Sequence, residues 1–203
     1  PGLIARPRLV PDRTVCPKVE EGIAAALAGG ARHILLREKN LAGGAFLALA
    51  KRLRKMTSTA SAHLLIHDRL DIALACRADG LHLPESGLPT PLARRLLGHK
   101  PLLGRSCHHV ETARKALGEG ADHVTLSPLF ATRSHPEATP LGVTQFCRMR
   151  RAIHGPVLAL GGIHSGNVAQ VRDTTADGVA LIRGILNVQN PGAAVRKILS
   201  ILR

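Results

Sequence analysis

Short apolar runs that end in polar residues recur eight times along this chain, each followed by a stretch that reads as a helix. This alternation limits the fold more than any other feature. The runs predict strands at residues 9–10, 31–36, 63–66, 79–83, 101–105, 122–126, 157–160 and 178–182. Helices are expected at 19–28, 44–56, 69–76, 90–97, 110–118 and 143–153, from Ser165 or Gly166 onward, and at 191–202. Thr90 reads as the cap of its helix, with Pro91 at the first position. Strands this short and this apolar imply parallel pairing with helices covering the outside. Either a barrel or an open doubly wound sheet satisfies that pattern. No GxGxxG follows the first strand, which weakens the dinucleotide-binding alternative. An internal echo favours a barrel of similar units: Ala31 after Gly29-Gly30, Ala78-Asp79-Gly80, Gly120-Ala121-Asp122 and Ala176-Asp177-Gly178. The expected architecture is therefore α/β, a single (β/α)8 TIM-type barrel spanning residues 1–203 as one domain.

Composition narrows the function. No window of about 18 apolar residues occurs, and the first residues have too little apolar length for a signal peptide, so a cytoplasmic protein is expected. Cys16, Cys76, Cys107 and Cys147 are widely spaced without a CxxC pair and read as free thiols. The formal charge of +14 fits nucleic acid, anionic metabolites or an arginine-rich surface. There is no Trp or Tyr and only three Phe, so base-stacking platforms are missing and a nucleic-acid partner is not expected.

Barrel enzymes carry their chemistry where strands end. Here those ends supply Arg37 and Lys39, His67 and Asp68, His82, Ser106, residues 132–135, Gly161-Gly162 and Arg183-Gly184. Cations, hydroxyls and glycines in such positions suit phosphate groups. Bland readings compete. Arg37 and Lys39 flank Glu38 and fit a solvated run. His82 inside an apolar strand fits a hydrogen-bonded core residue, His108 and His109 a helix start. Asp68 fits either an ion pair with Arg69 or a metal ligand.

The motifs Leu36-Arg37-Glu38-Lys39, Ile66-His67-Asp68-Arg69, Gly80-Leu81-His82-Leu83, Gly104-Arg105-Ser106, Pro128-Leu129-Phe130-Ala131-Thr132, Pro140-Leu141-Gly142 and Ala159-Leu160-Gly161-Gly162 occur in this order. In that order and spacing the chain resembles the thiamine-phosphate synthase/TenI family over nearly its whole length. The resemblance implies a compact barrel enzyme of thiamine biosynthesis. Such a transferase joins hydroxymethylpyrimidine pyrophosphate to thiazole phosphate with Mg²⁺ and releases pyrophosphate. On matching positions, Arg37, Lys39 and Ser106 would bind pyrophosphate and Asp68 would hold Mg²⁺. Thr132 and Ser134 would meet the thiazole, and Gly161, Gly162, Ile182 and Arg183 its phosphate. His67 and His135 are further candidates for catalysis. A homodimer is the assembly expected.

Several positions depart from the family's pattern. Leu35 replaces a Gln, His67 an Asn, His135 a Lys and Arg183 a Ser. Gly87 falls where a second magnesium carboxylate belongs, with Glu85 as a substitute. TenI-type relatives aromatise a thiazole instead, but Pro128 stands where their catalytic His would be. A non-catalytic barrel that binds a phosphorylated thiazole is the remaining alternative.

Overall fold

A computed structural model of the chain describes residues 8–9, 18–132, 136–181, 185 and 188–202. Strands β2 (His33–Leu36), β3 (His63–His67), β4 (Gly80–Leu83), β5 (Leu102–Cys107), β6 (His123–Leu126), β7 (Val157–Leu160) and β8 (Gly178–Leu181) form one parallel curled sheet. The two-residue strand β1 (Arg8–Leu9) aligns with both β2 and β8. The expected first strand was one residue later, and its Val10 lies outside the described residues. Helices α1 (Val19–Ala28), α2 (Gly43–Thr59), α3 (Leu70–Ala75), α4 (Thr90–Leu97), α5 (Val110–Gly118), α6 (Gly142–Arg151), α7 (Ala169–Arg172) and α8 (Pro191–Leu202) alternate with the strands.

Both sheet faces are buried, and successive strand residues divide between them. Ile34, Leu36, Leu64, Ile66, Val124, Leu126, Val157 and Val179 join the large core between sheet and helices. Leu35, Leu65 and Ala180, with Leu102 and Leu160, form a separate cluster inside the curl of the sheet. The strands therefore carry no polar-alternating pattern, as parallel sheets buried on both faces require. The register sets Leu35 beside Leu65, His67 beside His82, His82 beside Gly104, and Ser106 beside Thr125. Inward positions thus change from leucines to imidazoles and hydroxyls as the strands approach their C-terminal ends.

The Ala-Asp echo has a structural cause. Asp79, Asp122 and Asp177 each accept a hydrogen bond from a backbone N–H of the preceding strand: Leu64 (2.8 Å), Leu103 (2.7 Å) and Val157 (2.8 Å). Each carboxylate also pairs with an arginine from an even-numbered helix: Arg54 (3.0 Å), Arg94 (2.6 Å) and Arg150 (3.0 Å). The arginines in turn donate to loop carbonyls, as Arg94 does to Gly98, Pro101 and Gly120. At β2 the equivalent residue is Arg32, which donates to the Leu27 and Ala31 carbonyls instead. The echo is a set of clamps on the N-terminal rim, away from the strand exits. Substituting Asp122→Ala would leave the Leu103 N–H and the largely buried Arg94 without their acceptor. A loss of about 2–3 kcal/mol is expected, seen as a lower urea midpoint at unchanged m.

Two helix expectations are corrected. Thr90 does not cap α4: Pro89 precedes the helix with no side-chain cap, and the Thr90 hydroxyl accepts from Arg105 (3.2 Å). The helix expected from Ser165 or Gly166 is the single turn α7, because the preceding residues form a side-chain-bonded turn.

Candidate functional site

An arc of polar groups crosses the strand exits from β2 to β7. Arg37, half-buried, and Lys39, exposed, leave β2 directly above the inward-packed Leu35. His67 ends β3. Burial is the main cause holding its imidazole down to about pKa 4, with the Arg37 and Lys39 charges adding to it. That influence places both cations close to His67, and the ring is neutral at pH 7. In the unfolded chain His67 would take a proton near pH 6.5, whereas the folded chain resists protonation until about pH 4. Stability is therefore full above pH 6.5 and declines as pH falls toward 4. The expected decline is about 2–3 kcal/mol in urea unfolding series, and His67→Asn should largely abolish this share of it.

Asp68 follows in a left-handed conformation (φ +65°), which is uncommon for a residue with a side chain and is often kept at functional positions. Its backbone N–H donates to the His82 carbonyl at 2.9 Å. The ion pair with Arg69 that the sequence left open does not form: Arg69 binds Asp71 through Nε (2.9 Å) and lies over Phe46. The exposed Asp68 carboxylate accepts no side-chain hydrogen bond among the described residues, and its charge acts on the neighbouring Arg69.

Glu85 is engaged through one of its two oxygens. Its Oε1 accepts from the His108 N–H (3.2 Å) and the Thr112 hydroxyl (2.9 Å), tying the loop after β4 to the start of α5. Gly87 closes a turn onto the Pro84 carbonyl, and a Cβ there would lie 2.9 Å from the Pro84 ring. Arg105, quoted only as part of a motif, spans the same loop by donating to the Leu88 (2.7 Å) and Glu85 (2.8 Å) carbonyls. Sequence reasoning missed this role, since an arginine at a strand end looks the same whether it faces a ligand or a loop. Among the described residues no cluster of three metal-ligating side chains occurs. A magnesium ion can be held by one or two carboxylates together with substrate phosphates. Asp68 fits that arrangement, and a cage made by protein alone does not.

His82 is a buried core residue, as one reading of the sequence had it, and its Nε2 lies 3.0 Å from the Ser106 hydroxyl. His108, half at the surface, bonds through Nδ1 to the Ser127 carbonyl (2.8 Å) rather than capping α5.

The arc ends on two interlocked loops. Leu129 and Phe130 donate to the carbonyls of Leu160 (2.8 Å) and Gly161 (3.1 Å). Gly161 and Gly162 have φ of +102° and +65°, and a Cβ on Gly161 would lie 2.8 Å from the Pro128 Cα. Only glycine permits both the conformation and the approach. Asn167, also missed, fixes this turn: it donates to the Gly162 carbonyl (2.9 Å) and accepts from the His164 N–H (2.8 Å). A side-chain amide three residues after a loop position was the available signal. Thr132 lies half-buried at the end of the loop after β6. Ser134, His135, Ile182 and Arg183 lie outside the described residues, as does Cys16. Cys76 and Cys107 are buried free thiols, and Cys147 is a partly buried one. No helix is long and apolar enough to cross a membrane among the described residues.

Two cations, a hydroxyl, an exposed carboxylate and a glycine turn at the strand exits suit a ligand bearing several phosphate oxygens. Known proteins point the same way. A family model described as thiamine monophosphate synthase matches residues 8–185. A thiamine-phosphate synthase of Moorella thermoacetica is 40% identical over 179 residues, covering 88% of this chain and 85% of that protein. One from Anaeromyxobacter dehalogenans is 42% identical over 174 residues, covering 85% and 78%. The solved thiamine phosphate pyrophosphorylase of Pyrococcus furiosus superposes with a TM-score of 0.89 at 29% identity, covering 97% of this chain and 95% of that one. With the motifs in order, the curled parallel sheet and this agreement over most of its length, the chain belongs to the thiamine monophosphate synthase family.

Proposed function

We propose that the chain is a thiamine-phosphate synthase: it couples hydroxymethylpyrimidine pyrophosphate to thiazole phosphate and releases pyrophosphate. The observation that carries this reading is the gathering of Arg37 and Lys39, whose charges act on His67, and the exposed Asp68 carboxylate at the adjoining exits of β2 and β3. As the bond from the pyrimidine methylene carbon to the pyrophosphate oxygen breaks, its electron pair leaves with the oxygen. Arg37, Lys39 and the Ser106 hydroxyl stabilise that growing charge. The thiazole nitrogen then supplies the electron pair of the new bond to the same carbon. Thr132 and Ser134 orient the thiazole, while the backbone at Gly161, Gly162, Ile182 and Arg183 receives its phosphate. Asp68 would hold Mg²⁺, which would supply further charge neutralisation when bound. His135 adds a donor on the thiazole side.

The two-residue β1 closes the sheet into a complete (β/α)8 barrel of one domain, acting in the cytoplasm. The relatives named above favour a synthase over a TenI-type tautomerase, and Pro128 lacks the proton-transferring group a tautomerase needs. Pyrophosphate release should require both substrates and Mg²⁺, and omission of either substrate should abolish it. Release without thiazole phosphate would overturn the coupling step. With a single carboxylate at the ion, Asp68→Asn should raise the Mg²⁺ concentration for half-maximal rate by about ten-fold or more.

A further inference from the structure

Beneath Ser106 lies a layer of buried polar side chains that the coupling reaction itself does not call on. His82, Thr125 and His123 are 2%, 2% and 1% exposed. The register sets His82, Gly104 and His123 at one level on β4, β5 and β6, with Ser106 and Thr125 one inward step further along. The His82 and His123 rings lie 5.6 Å apart between centroids. Both lean into the space above Gly104: a Cβ at that position would collide with His123 Nε2 and His82 Nδ1. Both rings therefore border the space that the missing side chain leaves. On its other edge, His82 Nε2 is 3.0 Å from the Ser106 hydroxyl oxygen, which also accepts from the Thr125 hydroxyl at 3.5 Å.

A serine hydroxyl has one proton. If Ser106 donates it inward to His82 Nε2, only lone pairs face the strand exits, and they repel an anion. If His82 donates from Nε2, Ser106 accepts from His82 and Thr125 and keeps its proton for a ligand oxygen. A neutral imidazole carries its proton on one nitrogen, and the partner of the other nitrogen decides which. Donation from His82 Nε2 is the form in which the serine keeps its proton for a ligand.

We propose that His82, donating from Nε2, is a positioning residue that turns the Ser106 hydroxyl outward as a donor to the pyrophosphate group. This rests on the reading that Ser106 meets the pyrophosphate. The test is binding of inorganic pyrophosphate with Mg²⁺ by titration calorimetry, in wild type, Ser106→Ala, His82→Leu, His82→Gln and the Ser106→Ala/His82→Leu double variant. Ser106→Ala should weaken binding roughly ten-fold. His82→Leu should weaken it comparably, and adding it to Ser106→Ala should cost nothing further, a result that general loosening of the core would not give. His82→Gln, whose amide can donate from a similar position, should recover most of the affinity. Multiplying losses in the double variant, or no recovery by Gln in a folded protein, would overturn the positioning role alone. Unchanged affinity in Ser106→Ala would overturn the pyrophosphate reading of Ser106, and the positioning role with it.

Discussion

Replacing Arg37 by alanine is expected to lower kcat/KM for the pyrimidine pyrophosphate by about two to three orders of magnitude, with the fold intact. Removing one preorganised donor from a developing anion typically has that size of effect. Arg37 leaves β2 half-buried at the strand-exit face, and its charge acts on the partly buried His67 at the end of β3. Arg148→Ala is the matched control. Arg148 is exposed on α6, and its one hydrogen bond seen among the described residues is a 3.4 Å contact to Gln145. That variant should stay within about two-fold of wild type, the usual range for a surface change with no buried partner. Equal losses in the two variants would place the site on another face of the sheet.

Gly104→Ala is expected to damage the fold strongly. The added carbon would enter the space already held by the His82 and His123 rings. Neither ring has a route to solvent, and His82 is tied to Ser106 on its far edge. Overpacking costs typically reach about 1–3 kcal/mol, and displacing a buried, bonded imidazole adds the cost of its lost hydrogen bond. A total loss of about 3–5 kcal/mol is therefore expected from urea unfolding. His123→Ala opens the space on one side, so the Gly104→Ala/His123→Ala double variant should be more stable than the sum of the two single losses implies. Additive losses would mean that the ring and the methyl do not compete for one volume.

Much of the architecture was readable from the sequence because local and global signals agree. The limits of α1, α5, α8 and β7 fall at the expected residues, where amphipathic pattern and glycine or proline boundaries coincide. The strand exits at Arg37, Asp68 and Ser106 stood out because an apolar run ends in a charge or hydroxyl. The meaning of Leu35 came only with the register, which packs it against Leu65 and Ala180 inside the sheet. Side-chain commitments were not readable at all. Glu85 looked like a spare carboxylate until the His108 N–H and Thr112 hydroxyl were seen on it, and Thr90 looked like a cap until Arg105 was seen to donate to it. Each depends on a partner more than 14 residues away, for which a linear pattern carries no signal. The stacked levels of His67, His82 and His123 belong to the same class, because three separate strands supply one layer.

The central claim is that this set of strand exits joins a pyrimidine pyrophosphate to a thiazole phosphate. The direct measurement incubates the purified protein with both substrates and Mg²⁺ and follows the products by mass spectrometry. Thiamine phosphate and pyrophosphate should appear in equal amounts at a rate that scales with protein concentration. No thiamine phosphate above the protein-free background, or an aromatised thiazole carboxylate phosphate as the sole product from its tautomer, would contradict it.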